Sequence, residues 1–310
     1  MAILTNSAPI LEHAPIPTWF KVGGRADRMA TPRSIDELKH CLQDDASARV
    51  LGDGANLLVD DDGVGELVIS LKTPEFQRVE IDAATGRVFA AGGADFAKLI
   101  QHCVRAGLGG IEGLIGIPAS VGGACFMNAG GAFGQICDSI TRVHAMTREG
   151  EERVLDRRDV DFSYRHSGLD GLIITGVDFQ LTSGDPAALR ERLKECMAYK
   201  KRTQPMAENS AGCCFKNPTI TCDLSLKDHQ GFAAGSRVSA GLLIDKAGCK
   251  GLSIGAAEVS TVHGNFLFTK PGATARNVID LMELVQRRVM ESLGVAIERE
   301  VVVWRRAATR

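Results

Sequence analysis

The chain has 310 residues, 45% of them hydrophobic and 24% charged, with a formal net charge of −2. That length accommodates two or three domains with cores of their own, and the near-neutral balance excludes a bulk electrostatic hold on nucleic acid or anionic membrane. Aromatic residues at 5% also leave little material for base-stacking platforms, so a phosphate-bearing ligand would need a local site.

The first residues, "MAILTNSAPILEHAPIPTWF", carry prolines and acids where a signal peptide needs a basic end and an apolar core. No run approaches the roughly 18–20 apolar residues of a membrane span, so a cytoplasmic protein is expected. "SIDELKHCLQ" (34–43) predicts a short helix with Ser34 as N-cap. "ARVLGDGANLLV" (48–59) reads as strand, glycine turn and apolar segment, and "GELVISL" (65–71) as a further strand. In "DFAKLIQHCVRAG" (95–107), Phe96, Leu99, Ile100, Cys103 and Val104 fall at helical spacing, closed by Gly107. The glycine-dense stretch 107–134 is too rich in exposed backbone to be expected in the core. Strands are predicted at 140–146 and 171–181, then a charged amphipathic helix at 185–202, ended by Gln204-Pro205. Helices at 239–248 and 273–293 and a final strand, "IEREVVVW" (297–304), complete the chain. Strands and helices mix without a regular βαβ rhythm, which predicts an α+β fold with a seam near residue 200.

Nine cysteines, at 41, 103, 125, 137, 196, 213, 214, 222 and 249, lack Cys-x-x-Cys spacing, so neither a zinc ribbon nor a disulfide framework is expected, and no metal site. Buried free thiols are the general reading. The adjacent pair Cys213-Cys214 stands apart, because neighbouring residues can hardly satisfy disulfide geometry.

Two glycine loops invite a ligand. In "LGDGANLLV" (51–59), Gly52 and Gly54 allow the main chain to approach an anion; a structural turn and a phosphate cradle both fit this short pattern. It matches neither the P-loop nor the dinucleotide fingerprint. "GLIGIPASVGGACFMNAGGAFG" (113–134) is a long loop of the kind that usually wraps a ligand.

The motifs "TWFKVGG" (18–24), "LGDGANLLV", "GIPASVGGACFMNAGGAFG" (116–134), "SYRHS" (163–167), "AGCCFKNP" (211–218) and "IEREV" (297–301) follow one another along nearly the whole chain. In this order the chain resembles the flavin-dependent UDP-N-acetylenolpyruvoylglucosamine reductases of bacterial cell-wall synthesis. The resemblance implies an FAD-binding fold of the vanillyl-alcohol-oxidase (PCMH) type in two subdomains, residues 1–68 and 69–200, followed by an α+β substrate-binding domain at 201–310. The short connection from Phe179 to Gly212 is similar to the subtype that lacks an extra substrate-covering segment. Non-covalently bound FAD, with NADPH as co-substrate, is the implied cofactor set. A nucleotide sugar is the implied partner, met by a monomer with no nucleic-acid or membrane partner.

By this resemblance Gly52, Gly54, Ala55, Asn56 and Leu57 cradle the FAD pyrophosphate, and Gly116, Ile117, Pro118, Ser120, Gly122, Gly123 and Asn128 line the rest of the flavin. Asp53 and Ala55 stand where the family more often has glycine then serine, and Ala119 replaces a common glycine. The implied reaction passes hydride from NADPH to FAD and then to the enolpyruvyl double bond, leaving negative charge that spreads into the substrate carboxylate. Such a site needs a cation and an acid. Arg165 matches the cationic stabiliser, Glu300 the catalytic carboxylate, and Cys213 stands where the family usually has a proton-donating serine. Strand alternation alone cannot choose between Glu298 and Glu300. A thiol with an unperturbed pKa of about 8.5 gives up a proton far more readily than a hydroxyl. Tyr164, Lys216 and Asn217 are the implied substrate contacts, and His263 reads as a packed or surface histidine. Two alternatives stay open: another flavin oxidoreductase of the same fold, and a non-catalytic flavin or nucleotide-sugar binder. Neither glycine loop holds a histidine of the kind that tethers flavin in many oxidases.

Overall fold

The computed structural model describes residues 7–307 except 227, 228 and 230. The chain forms two compact units: Met1–Ala14, Ala26–Asp53 and Gly65–Lys200 make the first, and Pro15–Arg25, Gly54–Val64 and Lys201–Arg310 the second.

The first unit is built around two larger sheets, beside two short two-stranded ones. One places Ile10–Pro15, Arg25–Ala30, Val68–Ser70 and Arg49–Leu51 side by side, with the last two pairings of that row parallel. Helix α1 (Ile35–Asp44) buries Leu38, Cys41 and Leu42 in the same cluster as Ala30, Leu67 and Ile69 of this sheet. It starts where the sequence predicts: the Ser34 hydroxyl accepts from the Glu37 N–H at 3.2 Å, and Asp36 and Glu37 complement the positive end of the helix.

The other sheet is antiparallel, in the order Glu152–Asp156, Ile140–Met146, Ile173–Gln180, Arg87–Ala91, Val79–Asp82. Helix α2 (Phe96–Arg105) packs Phe96, Leu99, Ile100 and Cys103 into the cluster formed by Val88, Ala90, Val177 and Phe179 of this sheet. The Asp95 carboxylate caps it through the Lys98 N–H at 2.9 Å, and Gly107 leaves it at φ +74°. The expectation that 107–134 stays outside the core is wrong. A short helix, α3 (Val121–Phe126), sits inside the stretch and buries Val121, Gly122, Ala124 and Cys125. Its glycines are what allow the contact: a Cβ on Gly122 would lie 2.9 Å from the Gly92 carbonyl oxygen. Helix α4 (Pro186–Thr203) closes the unit, with Cys196 in the core and Leu193 and Met197 packed against it.

In the second unit helix α5 (Ala240–Lys246) and helix α6 (Ala275–Leu293) share a core. Beside them Ser253–Ile254, Ala257–Val259 and Leu267–Thr269 form a small antiparallel sheet. Thr274 and Asn277 make a reciprocal capping box at the start of α6, where the Asp61 carboxylate also accepts from Ala275 N–H at 2.8 Å and Arg276 N–H at 2.9 Å. Leu57–Val59 runs parallel to Val302–Trp304, pairing Leu57 with Val302. The final strand is therefore shorter than the predicted 297–304. Before it, residues 297–301 make a single bridge, Phe215 with Arg299, closed by the Lys216 N–H on the Glu298 carbonyl and the Glu300 N–H on the Cys214 carbonyl.

Candidate active site

The first unit brings the two glycine loops together. Ser120 caps α3, its hydroxyl accepting from the Gly123 N–H at 3.2 Å. A Cβ on Gly52 would lie 2.8 Å from the same hydroxyl oxygen, so Gly52 is a close-approach glycine set against Ser120 and Gly123. The second loop is clamped along 92–96: Val121 N–H donates to the Ala94 carbonyl at 2.8 Å, Gly122 N–H to Gly92 at 2.7 Å, and Phe96 N–H to Ala119 at 3.0 Å. Gly116 lies at φ +79°, and Ile117 N–H closes a turn on the Leu114 carbonyl at 3.1 Å, leading into Pro118. Asp53, the departure from the family pattern, is paired with Lys72.

From Gly54 onward the first loop belongs to the second unit. Gly54 has φ +63° and its carbonyl accepts from the Trp19 N–H at 3.1 Å; a Cβ there would meet the Pro17 carbonyl oxygen at 2.0 Å. Only glycine fits. Among the described residues the N–H groups of Gly54, Ala55 and Asn56 donate to no protein acceptor, which leaves a run of amides for an anion. A cradle shaped by obligatory glycines and lined by amides suits a pyrophosphate. Asn56 also ties the loop to the end of the chain. Its side-chain amide donates to the Glu300 carbonyl at 3.0 Å, and its backbone carbonyl accepts from Val302 N–H at 3.1 Å. Leu57 is buried in the strand that follows.

The paired cysteines run through the second unit between two flanking segments. On one side Cys213 bridges Phe266, and Cys214 N–H donates to the Asn265 carbonyl at 2.8 Å. On the other, Lys216 N–H donates to the Glu298 carbonyl at 2.9 Å and Glu300 N–H to the Cys214 carbonyl at 2.8 Å. The side chain of Asn265 fixes the register. It accepts from Phe215 N–H at 2.9 Å and donates to the Phe215 carbonyl at 2.8 Å. This buried amide is the site-building residue that sequence reasoning did not single out.

Alternation along 213–215 separates the two thiols. Cys214 is fully buried, and burial, with lesser contributions from the charges of Cys213 and Glu300, pushes its thiol up to about 12. Cys213 is half-buried, and no cysteine is in a disulfide. Cys214 is thus inert packing. The structure also parts the two glutamates that alternation left tied: Glu298 is exposed and 3.8 Å from the Lys216 ammonium, whereas Glu300 is half-buried. Asn217 accepts from Ala240 N–H at 2.9 Å, anchoring the start of α5. His263 is packed as expected: its Nδ1 accepts from Asn265 N–H at 3.2 Å and its ring meets Phe266 edge-on.

Arg165 and Tyr164 belong to the first unit. They form the tip of a tight turn in which Ser163 and His166 exchange backbone hydrogen bonds, and Arg165 sits at φ +56°. A left-handed arginine is a strained placement of the kind found at functional sites. Its guanidinium lies 5.4 Å over the Tyr164 ring. Asn128, itself at φ +41° and 1% exposed, holds this turn by donating to the Ser163 carbonyl at 2.8 Å. It also accepts from Cys137 N–H at 3.4 Å, so its amide ties the second glycine loop to the arginine turn.

Residues 26–156 match the family model of an FAD binding domain. With the glycine-built cradle, that match defines an FAD-dependent flavoprotein. Residues 204–304 match the model described as UDP-N-acetylenolpyruvoylglucosamine reductase, C-terminal domain. The UDP-N-acetylenolpyruvoylglucosamine reductase of Moorella thermoacetica is 36% identical over 310 residues, covering 98% of this chain and 94% of its own. That of a Bradyrhizobium species is 38% identical, covering 93% and 89%. The crystal structure of UDP-N-acetylenolpyruvylglucosamine reductase from Thermus caldophilus superposes with a TM-score of 0.77 at 38% identity, over 96% of this chain and 98% of that one. The chain belongs to the UDP-N-acetylenolpyruvoylglucosamine reductase family, and FAD is its cofactor.

Proposed function

We propose that this protein uses NADPH to reduce the enolpyruvyl ether of UDP-N-acetylglucosamine enolpyruvate, giving UDP-N-acetylmuramate for peptidoglycan precursor synthesis. The observation that supports the proposal is the Cys213–Phe215 segment held by backbone hydrogen bonds between Asn265–Phe266 and Glu298–Glu300, with a half-buried thiol and a half-buried carboxylate on these neighbouring segments. The chemistry supplied by bound FAD is acceptance of hydride from the nicotinamide and its delivery to one carbon of the enolpyruvyl double bond.

The remaining work falls to the chain's own residues. The electron pair displaced by the arriving hydride collects on the neighbouring carbon and its carboxylate. The Arg165 guanidinium pairs with that carboxylate as its charge grows, by the two-pronged geometry that favours arginine over lysine. The Cys213 thiol donates its proton to the carbon, completing the addition of hydride and proton, and is reprotonated from solvent. Glu300 polarises the carboxyl group and assists that protonation. Gly52, Gly54, Ala55, Asn56 and Leu57 hold the pyrophosphate, and Gly116, Ile117, Pro118, Ser120, Gly122, Gly123 and Asn128 shape the flavin's surroundings. Tyr164, Lys216 and Asn217 position the nucleotide sugar. In this reading residues 1–68 and 69–200 carry the cofactor and 201–310 the substrate. The flavin is held non-covalently, since neither loop offers a histidine, and the enzyme works as a cytoplasmic monomer.

An anaerobic absorbance experiment tests this. NADPH should bleach the flavin and the enolpyruvyl nucleotide sugar should restore its colour in one turnover. Colour returning only on admission of oxygen would replace the proposal with an oxidase.

A further inference from the structure

Helix α4 directs one face inward through Leu193, Cys196 and Met197, and the next residue of that stripe, Lys200, is a lysine. Lys200 is only 8% exposed, and its alkyl stem lies over Gly116: a Cβ on that glycine would be 3.1 Å from Lys200 Cδ and 3.1 Å from Met197 Sδ. Among the described residues its ammonium makes no hydrogen bond or ion pair, and the group that acts on it electrostatically, the buried Cys196, is a thiol that burial keeps protonated and neutral. Desolvation draws the amine down from 10.5 to about 8, a direction that records the lack of a partner. A buried lysine without a carboxylate is a rare and costly arrangement. An apolar residue would complete the stripe at less cost, so the cation calls for a ligand-borne anion.

The role proposed above for the Gly116 loop, shaping the flavin's surroundings, indicates which anion. Gly116 opens the glycine loop that runs on to Ser120, Gly122 and Gly123, within the FAD binding domain at 26–156. The pyrophosphate cradle is the other loop, at 52–57. We propose that Lys200 is the counter-charge for the flavin ring in its reduced form. Reduction by one hydride brings two electrons and one proton to the ring and leaves it one unit more negative. The Lys200 ammonium neutralises that unit without making or breaking a bond at nitrogen. Low local dielectric makes such a fixed charge effective, because little solvent is present to screen it. The proposal rests on FAD as the cofactor and is independent of the sugar substrate.

The test is the two-electron reduction potential of bound FAD, measured against a reference dye in the wild-type protein, Lys200→Met and Lys200→Gln, alongside the affinity for oxidised FAD. Loss of the charge should disfavour the reduced flavin by about 10- to 100-fold, a fall of about 30–60 mV for a two-electron couple. Affinity for oxidised FAD should stay within about threefold. Both variants should unfold no earlier than wild type, since each removes a buried charge; the glutamine variant keeps a polar head, so an equal fall in both identifies charge rather than packing as the cause. An unchanged potential in flavin-loaded variants would overturn the proposal. So would an equal loss of affinity in both redox states, which would assign Lys200 to the pyrophosphate. A wild-type protein that takes up no FAD would instead overturn the cofactor assignment itself.

Discussion

Asn265 is the residue whose removal should do most to the site without touching a reacting group. Its side chain, 2% exposed, bonds both polar groups of the Phe215 backbone, at 2.9 Å to the N–H and 2.8 Å to the carbonyl. Asn265→Ala deletes both bonds and leaves a donor and an acceptor buried, with Phe215 itself fully inside the core. An unsatisfied buried group costs about 1–3 kcal/mol, so the two together amount to roughly 2–6 kcal/mol. That is a large share of the roughly 5–15 kcal/mol typical of a folded protein. The effect should fall on the second unit, and the chain's two tryptophans, Trp19 and Trp304, both lie there. Urea unfolding followed by tryptophan fluorescence therefore reads the relevant transition. In the protein that remains folded, Cys213 and Glu300 lose their common support, so substrate-driven flavin reoxidation should slow while NADPH-driven bleaching persists. A variant that unfolds within about 0.5 kcal/mol of wild type, the range of an ordinary surface change, would refute the role given to this amide.

Gly54→Ala should purify depleted in FAD. The left-handed backbone costs an alanine about 1–3 kcal/mol, and its Cβ would sit 2.0 Å from the Pro17 carbonyl oxygen; full flavin stoichiometry by absorbance would contradict this. Arg165→Ala and Glu300→Gln should bleach with NADPH at near wild-type rates yet reoxidise slowly with substrate, because both groups act only once charge develops on the substrate; normal reoxidation in stopped flow would remove both from the mechanism. Burial, then Lys250, lowers the His263 pKa below its ordinary 6.5. The unfolded chain thus binds the proton first, and the stability His263 contributes is present above about pH 6.5 and lost as pH falls below it. Wild type should lose more stability between about pH 7.5 and 5.5 than His263→Gln, and equal losses would dismiss the effect.

The parts of the fold legible in the sequence are those with local signals. Helices α1 and α2 declare themselves by apolar spacing and by Ser34 and Gly107 at their ends. Helix α3 does not, because Val-Gly-Gly-Ala-Cys-Phe is a poor helix former in isolation. Its stability comes from glycines that let it lie against Gly92 and from the Ser120 cap, which are tertiary facts. Ile10–Pro15 and Glu152–Asp156 also escape a sequence reading, since most of their side chains face outward and give no apolar alternation. The last strand is shorter than its pattern suggests: 297–304 alternates well, yet its first part pairs only through the single Phe215–Arg299 bridge, and regular pairing with Leu57–Val59 begins at Val302. Within the site, Arg165, Cys213 and Glu300 can be named only from motifs; composition and periodicity pass over each. Asn265 lies 50 residues from the backbone it satisfies. Lys200 reads in sequence as one more charge in "YKKR", and only the packing of α4 shows that it points inward.

The central claim is that Cys213 is the proton donor and Cys214 its buried neighbour. Single-turnover reoxidation of NADPH-reduced enzyme by the enolpyruvyl nucleotide sugar, followed by flavin absorbance, measures that step directly. Cys213→Ala should slow it by roughly 10²–10⁴-fold, the usual worth of a positioned general acid. Cys213→Ser should retain substantial rate, and Cys214→Ala should match wild type apart from a modest packing cost. Peroxide should inactivate the wild-type protein and spare Cys213→Ser, since the Cys213 thiol is accessible to oxidation whereas Cys214 is buried and a serine cannot be oxidised in this way. A fast Cys213→Ala beside a dead Cys214→Ala would contradict the account.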